Sequence, residues 1–179
     1  MLIFEQLVGL GFMVLDPERN VLTFNMDVVS KFPAIRKAKM EEYRWLIGEW
    51  ACENRVRATP TTPAYTDTYI YTYEYADNDT RITVTGPSGK SRPLLTFDPF
   101  SRRWMMTFVD GLYGVLQSEG WDGNRMVFHG HLTMLGVDCE LRQTLTRHSA
   151  DEGHILNEEK LPDGSWLVTD EFFCRRRAN

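Results

Sequence analysis

Positive charge is in short supply in this chain. Its 179 residues carry 20 Lys and Arg against 25 Asp and Glu, a formal net charge of -5. A surface built to neutralise phosphates wants the opposite balance, and so does a polybasic segment that holds to anionic lipid. The expectation is therefore no nucleic-acid partner and no membrane partner. No apolar run approaches the ~20 residues that span a bilayer. The start, Met1 to Gly9, is apolar but lacks a basic flank, and Glu5 and Gln6 interrupt it, so no signal peptide is expected. Cysteine is scarce too. Cys52, Cys139 and Cys174 are odd in number and widely spaced, and no C-x-x-C pair occurs. That pattern fits neither a disulfide framework nor a zinc site. It predicts three reduced, packed thiols in a cytoplasmic protein.

Signatures of well-known chemistries are missing as well. Gly86-Pro87-Ser88-Gly89-Lys90-Ser91 ends like a phosphate-binding loop but lacks the upstream glycine spacing and a following helix. There is no G-x-S-x-G elbow and no H-E-x-x-H pair. Internal repeats and low-complexity segments are absent. Ordinary usage, 42% hydrophobic and 25% charged, excludes a wholly disordered chain.

What the sequence has in quantity is alternation. About ten short runs rich in Tyr, Thr, Val, Ile, Phe and Trp follow residue 48, each with a period of two. Turn clusters divide them, among them Asp77-Asn78-Asp79, Gly86-Pro87-Ser88-Gly89, Asp110-Gly111, Asp122-Gly123-Asn124 and Pro162-Asp163-Gly164. The connections are too short for helices, so neighbouring strands are antiparallel. A long meander with no helices over its edges is best stabilised by closing on itself. The first 45 residues read differently. Pro33 to Leu46 predicts a helix, with Pro33 in its first turn. Phe12–Leu15 and Val21–Phe24 flank a turn-like segment and suit either a hairpin or two short helical pieces. Ile3 to Leu10 allows a helix that Gly9 and Gly11 weaken.

Parity sorts the faces. Glu53, Arg55 and Arg57 fall on one side of a strand from Gly48, and Trp50, Cys52, Asn54 and Val56 on the other. The second side faces inward, because three unpaired charges cannot be buried. Asn54 is then an inward amide that needs hydrogen bonds or offers them to a ligand. Tyr65, Tyr69, Tyr71, Tyr73 and Tyr75 share one face, either an ordinary sheet face at a subunit contact or a cavity wall. Trp104, Met106 and Phe108 alternate with Met105, Thr107 and Val109. With a two-residue turn at Met134-Leu135, Leu132 faces Val137, His131 faces Asp138, His129 faces Glu140 and Phe128 faces Leu141. Two His–carboxylate pairs on one face suit a tuned base or a solvated row of ion pairs. The spacing fails the metal-binding cupin pattern, and no metal is expected.

Leu46-Ile47-Gly48-Glu49-Trp50 and the tail Phe172-Phe173-Cys174-Arg175-Arg176-Arg177 carry a resemblance. A G-x-W at the first barrel strand with an arginine ending the last resembles the calycin signature of lipocalins. Gly120-Trp121-Asp122-Gly123-Asn124-Arg125-Met126-Val127-Phe128 and Leu141 to Arg147 resemble an uncharacterised bacterial family of single-domain lipocalin-like barrels. The resemblance spans roughly residues 42–177. It implies a tryptophan that plugs one barrel end and an arginine packed across it. Haem-binding relatives place a histidine late in the chain, and nothing after His154 serves here, so no cofactor is expected. The family usually starts close to the G-x-W, so residues 1–40 are an extension expected to plug the barrel mouth or to build a dimer contact.

The expected fold is all-β, an antiparallel up-and-down calycin-like barrel over residues 41–179, with residues 1–40 as an N-terminal extension and a short helix. The expected function is binding of a small apolar or aromatic molecule in the barrel, with Asn54, Tyr69, Tyr71, Tyr73, Trp104, Met106, Phe108 and Phe128 on the wall. One alternative is a cofactor-independent cyclase, isomerase or hydratase using Tyr71, Asn54, His129 and Glu140 as acid–base groups. A further alternative is a homodimeric interaction protein using the tyrosine face and the extension. Inward tyrosines favour the first two readings and outward tyrosines the third.

Overall fold

The computed structural model describes residues 3–58, 63–87 and 91–178. The chain opens with helix α1 (Ile3–Gly9) and a two-stranded hairpin, β1 (Met13–Asp16) with β2 (Val21–Phe24). The hairpin is thus the realised one of the two readings for this segment. Asp16 fixes its turn by accepting from the backbone N–H groups of Glu18 and Arg19 at 3.0 and 3.1 Å. Helices α2 (Met26–Val29) and α3 (Phe32–Met40) follow, and a 3-10 turn covers Glu41–Leu46. The single helix expected over Pro33 to Leu46 is therefore α3 continued by that tighter turn.

Ten antiparallel strands close into a barrel: β3 (Gly48–Val56), β4 (Tyr65–Ala76), β5 (Arg81–Thr85), β6 (Ser91–Asp98), β7 (Arg103–Asp110), β8 (Leu112–Ser118), β10 (Arg125–Met134), β11 (Val137–Arg147), β12 (Glu152–Lys160) and β13 (Trp166–Arg176). A two-residue strand, β9 (Trp121–Asp122), pairs with the start of β10. Each barrel strand pairs with its neighbour along the chain, and β13 returns to pair with β3. Every strand of the ring then has a paired neighbour on each side, which is what stabilises a helix-poor meander. Turn chemistry matches the bends: Asp77, Asn78 and Asp79 all take positive φ between β4 and β5. Of the expected turn at Gly86 to Gly89, residues 88 and 89 lie outside the described residues.

The β10–β11 hairpin corrects one expectation. Its two-residue turn is Leu135-Gly136, with φ of 51° and 82°, not Met134-Leu135. A two-residue hairpin turn of this hand needs positive φ at both positions, and Gly136 supplies one without strain. Met134 therefore pairs with Val137, Leu132 with Cys139, His131 with Glu140, and His129 with Arg142. The slip is two residues, so each side chain keeps its expected face.

The seam between β3 and β13 corrects another. Cys52 pairs in register with Cys174, and the two form a disulfide across 122 residues of sequence. Cys139 is the free thiol. Sequence spacing says nothing of this pair, because only ring closure brings the first and last strands together. The disulfide also removes the ground on which a cytoplasmic setting was expected.

Among the described residues the extension does not border the barrel cavity. Phe12, Phe32 and Phe100 pack edge to face with centroids 4.5–6.0 Å apart, and Arg36 donates to the Phe97 carbonyl at 3.2 Å. These contacts seat α3 against the β6–β7 turn, at the end of the barrel that holds Trp50 and Trp104. Among the described residues no helix is long and apolar enough to cross a membrane.

Candidate functional site

The barrel has a sealed end and an open end. At the sealed end Trp50 is almost fully buried, and its indole N–H donates to the Leu46 carbonyl at 2.7 Å. The Arg176 guanidinium lies over that ring, 4.6 Å from its centroid. It donates to the Ile47 carbonyl at 2.6 Å, to the Trp45 carbonyl, and to the Asp151 carboxylate at 3.0 Å. Trp104 stacks edge-on against Tyr43 at 4.7 Å and Phe97 at 5.4 Å. Phe128 is fully buried on the inward side of β10. Trp104 and Phe128 were expected on the ligand wall; they belong instead to the packed sealed end and do not border the cavity.

Above that floor lies a cavity of about 660 Å³, within the range of ordinary ligand sites. Tyr69, Tyr71, Tyr73, Met106 and Phe108 border it. The tyrosines face inward. Tyr73 is buried, and burial pushes its phenol well above the ordinary range. The Tyr69 phenol is raised by desolvation and then by the Asp67 carboxylate on the same strand face. Both phenols therefore remain neutral hydrogen-bonding groups near pH 7.

A neighbouring part of the wall, on β11 to β13, holds a polar strip that sequence reasoning missed. Gln143 on β11, Asn157 on β12 and Asp170 on β13 all border the cavity. The Gln143 amide donates to the Asn157 Oδ1 at 2.8 Å. The Thr169 hydroxyl donates to the Asp170 carboxylate at 3.0 Å. Burial raises the Asp170 carboxyl above the usual aspartate range, and hydrogen bonds from Asn157 and Thr169 offset part of that rise. The signal was available. Gln143 lies between Leu141 and Leu145, Asn157 follows Ile155 by two, and Asp170 precedes Phe172 and Cys174 on the same parity. Each is a polar residue on an apolar face, the argument already applied to Asn54.

Asn54 is 6% exposed, and its Oδ1 has no hydrogen-bond partner among the described residues. It pairs in register with Phe172 but, unlike that residue and against expectation, does not border the cavity. A buried amide oxygen without a donor is an unmet demand.

The four residues expected as acid–base groups do not come together. Tyr71 and Asn54 are on inward faces. His129 and Glu140 lie on the outer face of β10 and β11, beside a surface depression shared with Arg103, Gln117 and Arg125. Glu140 accepts from Lys160 at 2.9 Å, which holds its carboxyl below the usual range. His131 approaches Asp138 at 3.2 Å, with both side chains largely exposed. This is a solvated row of ion pairs, weakly stabilising. The sheet itself separates it from the cavity. Among the described residues no three His, Cys, Asp or Glu side chains converge as metal ligands.

No family model matches the chain, and no curated protein matches it. Solved structures do. The crystal structure of Rv2717c from M. tuberculosis aligns with a TM-score of 0.53 at 10% identity, covering 78% of this chain and 97% of that one. The S-type phycobiliprotein lyase CPES from Guillardia theta aligns with a TM-score of 0.52 at 10% identity, covering 83% and 98%. At such identity the likeness carries the fold and nothing beyond it. Both neighbours are lipocalin-like barrels of the calycin type, and that closed antiparallel fold is the fold of this chain.

Proposed function

We propose that the protein binds one small, largely apolar or aromatic molecule inside its barrel. The observation that supports this is the 660 Å³ cavity, walled by Tyr69, Tyr71, Phe108 and Phe172 and sealed below by the packed indoles. A preformed apolar cavity with few polar groups is the usual form of such a site. One structural neighbour is named a phycobiliprotein lyase, so the same scaffold serves a protein that handles other molecules. The catalytic alternative loses two of its four groups to the outer face.

Native mass spectrometry of the protein purified from its own host tests the reading. A co-purifying mass that disappears in Met106→Trp, a change that fills the cavity, supports it. Persistence of that mass in the folded variant overturns it.

Contact with a second copy is favoured by a separate observation. Leu15 and Phe24 on the β1–β2 hairpin are 57% and 55% exposed, and an isolated two-stranded hairpin is marginal in water. Light scattering is expected to show a dimer that Leu15→Lys with Phe24→Lys converts to a monomer.

A further inference from the structure

Among the described residues, the cavity-bordering group that carries a charge at neutral pH is an acid. Among the described residues that border the cavity, Asp170 is the one carboxylate, and no Lys, Arg or His joins it. Arg55 on β3 is paired with Glu53 at 2.6 Å, and Arg57, just past that strand, reaches Glu171 at 3.9 Å. Asp170 therefore receives neutral hydrogen bonds from Thr169 and Asn157 and no counter-charge. Beside it stands an aromatic corner. Phe172, two residues along β13, meets Tyr71 edge to face at 6.0 Å, and Tyr71 meets Tyr69 at 6.3 Å with ring planes near perpendicular. A corner of ring faces next to a carboxylate is the arrangement that recognises an organic cation.

We infer that the cavity selects a ligand with a protonated amine on an apolar or aromatic body. Asp170 supplies the counter-ion, the rings of Tyr69, Tyr71 and Phe172 surround the ammonium, and Met106 and Phe108 take the apolar part. The same wall rejects carboxylates, because an anion placed here meets Asp170 and no cation. The inference rests on the binding reading above and names the chemical class of its ligand.

Three probes of one carbon skeleton test it: 1-naphthylmethylamine, 1-naphthalenemethanol and 1-naphthoic acid, which are cationic, neutral and anionic at pH 7.5. Each is titrated into the full-length protein by calorimetry. The amine is expected to bind about tenfold more tightly than the alcohol, and the acid more weakly than both. Asp170→Asn, nearly isosteric, is expected to abolish the preference for amine over alcohol. Phe172→Leu is expected to narrow that preference with the carboxylate intact. Equal affinity of the wild-type protein for amine and alcohol, or tighter binding of the acid, overturns the inference and leaves the binding reading standing. Failure of all three probes to bind overturns both. The wild-type comparison decides the matter even where a variant does not fold.

Discussion

Arg176 and Trp50 are register partners across the seam that closes the barrel, and the guanidinium of one lies 4.6 Å above the indole of the other. The pair joins three things: the first barrel strand, the last strand, and the 3-10 turn with the residue after it, whose carbonyls at Trp45 and Ile47 accept from Arg176. Removing the ring opens a cavity at the sealed end. Trp50→Ala is expected to lower unfolding stability by about 3–5 kcal/mol. Arg176→Met keeps the length of the stem but leaves two part-buried carbonyls without a donor. A loss of about 1–3 kcal/mol is expected from that. Urea titrations followed by tryptophan fluorescence measure both. A loss under 0.5 kcal/mol for Trp50→Ala would contradict the sealed end as described.

The same seam carries the Cys52–Cys174 bond. Closing so long a stretch of chain restricts the unfolded ensemble, and removal of such a bond typically lowers stability by ~2–4 kcal/mol. Denatured, unreduced protein is expected to show one reactive thiol, Cys139, and reduced protein three. The double variant Cys52→Ser with Cys174→Ser is expected to melt earlier than the wild type. Three thiols before reduction would restore the reading of packed, reduced cysteines.

These two seam pairs differ in how far the sequence disclosed them. Trp50 and Arg176 stand in a G-x-W and an arginine-rich tail, and parity already placed Trp50 inward. Cys52 and Cys174 also lie on inward parity, yet no local signal pairs residues on strands that meet only when the ring closes. The hairpin of His129 and His131 failed differently. Its faces were legible from the period of two, but its register depended on which residues form the turn, and Leu135 accepts a positive φ that favours glycine. Asp170, Asn157 and Gln143 were legible in principle as polar residues on apolar faces. They went unread because Glu158, Glu159, Glu171 and the other charges around them make those strands look solvent-facing on both sides.

Gly114 on β8 is a stricter constraint than its sequence context suggests. Its φ is +147°, and a Cβ there would stand 2.3 Å from the His131 carbonyl oxygen of β10. Backbone, not a mobile side chain, would have to yield. Gly114→Ala is expected to cost about 1–3 kcal/mol or more from the conformation alone, with the β8–β10 pairing shifted. Thermal melts and amide exchange at Val115 and Leu132 read the effect. Gly123→Ala, in an open turn at φ +60° with nothing within 4 Å, is the comparison and is expected to cost less, because its backbone conformation is milder and no atom stands where the Cβ would go.

His129→Ala is expected to leave ligand affinity unchanged and to move stability by no more than about 0.5 kcal/mol, as for surface positions generally. Its side chain lies outside the barrel, with the β10–β11 sheet between it and the cavity. Calorimetry with 1-naphthylmethylamine on wild type and variant checks this. A tenfold loss of affinity would return His129 to the binding site and undo the assignment of faces.

Asp170 ties stability to pH with a definite sign. Burial raises its folded pKa above the value in the unfolded chain, so the folded protein holds that proton more tightly than the unfolded one. The resulting stability is fully present below the ordinary aspartate pKa and is lost as pH rises through the folded value. Asp170→Asn cannot ionise and lacks this dependence. The stability of Asp170→Asn relative to wild type is therefore expected to increase as pH rises across that window and then level off. An amine ligand acts the other way, because it favours the ionised carboxylate. Saturating 1-naphthylmethylamine is expected to flatten the wild-type curve and to release a proton on binding near the folded pKa, read as a buffer-dependent heat. A wild-type curve parallel to that of Asp170→Asn at every pH would place Asp170 in solvent and remove the counter-ion from the cavity wall.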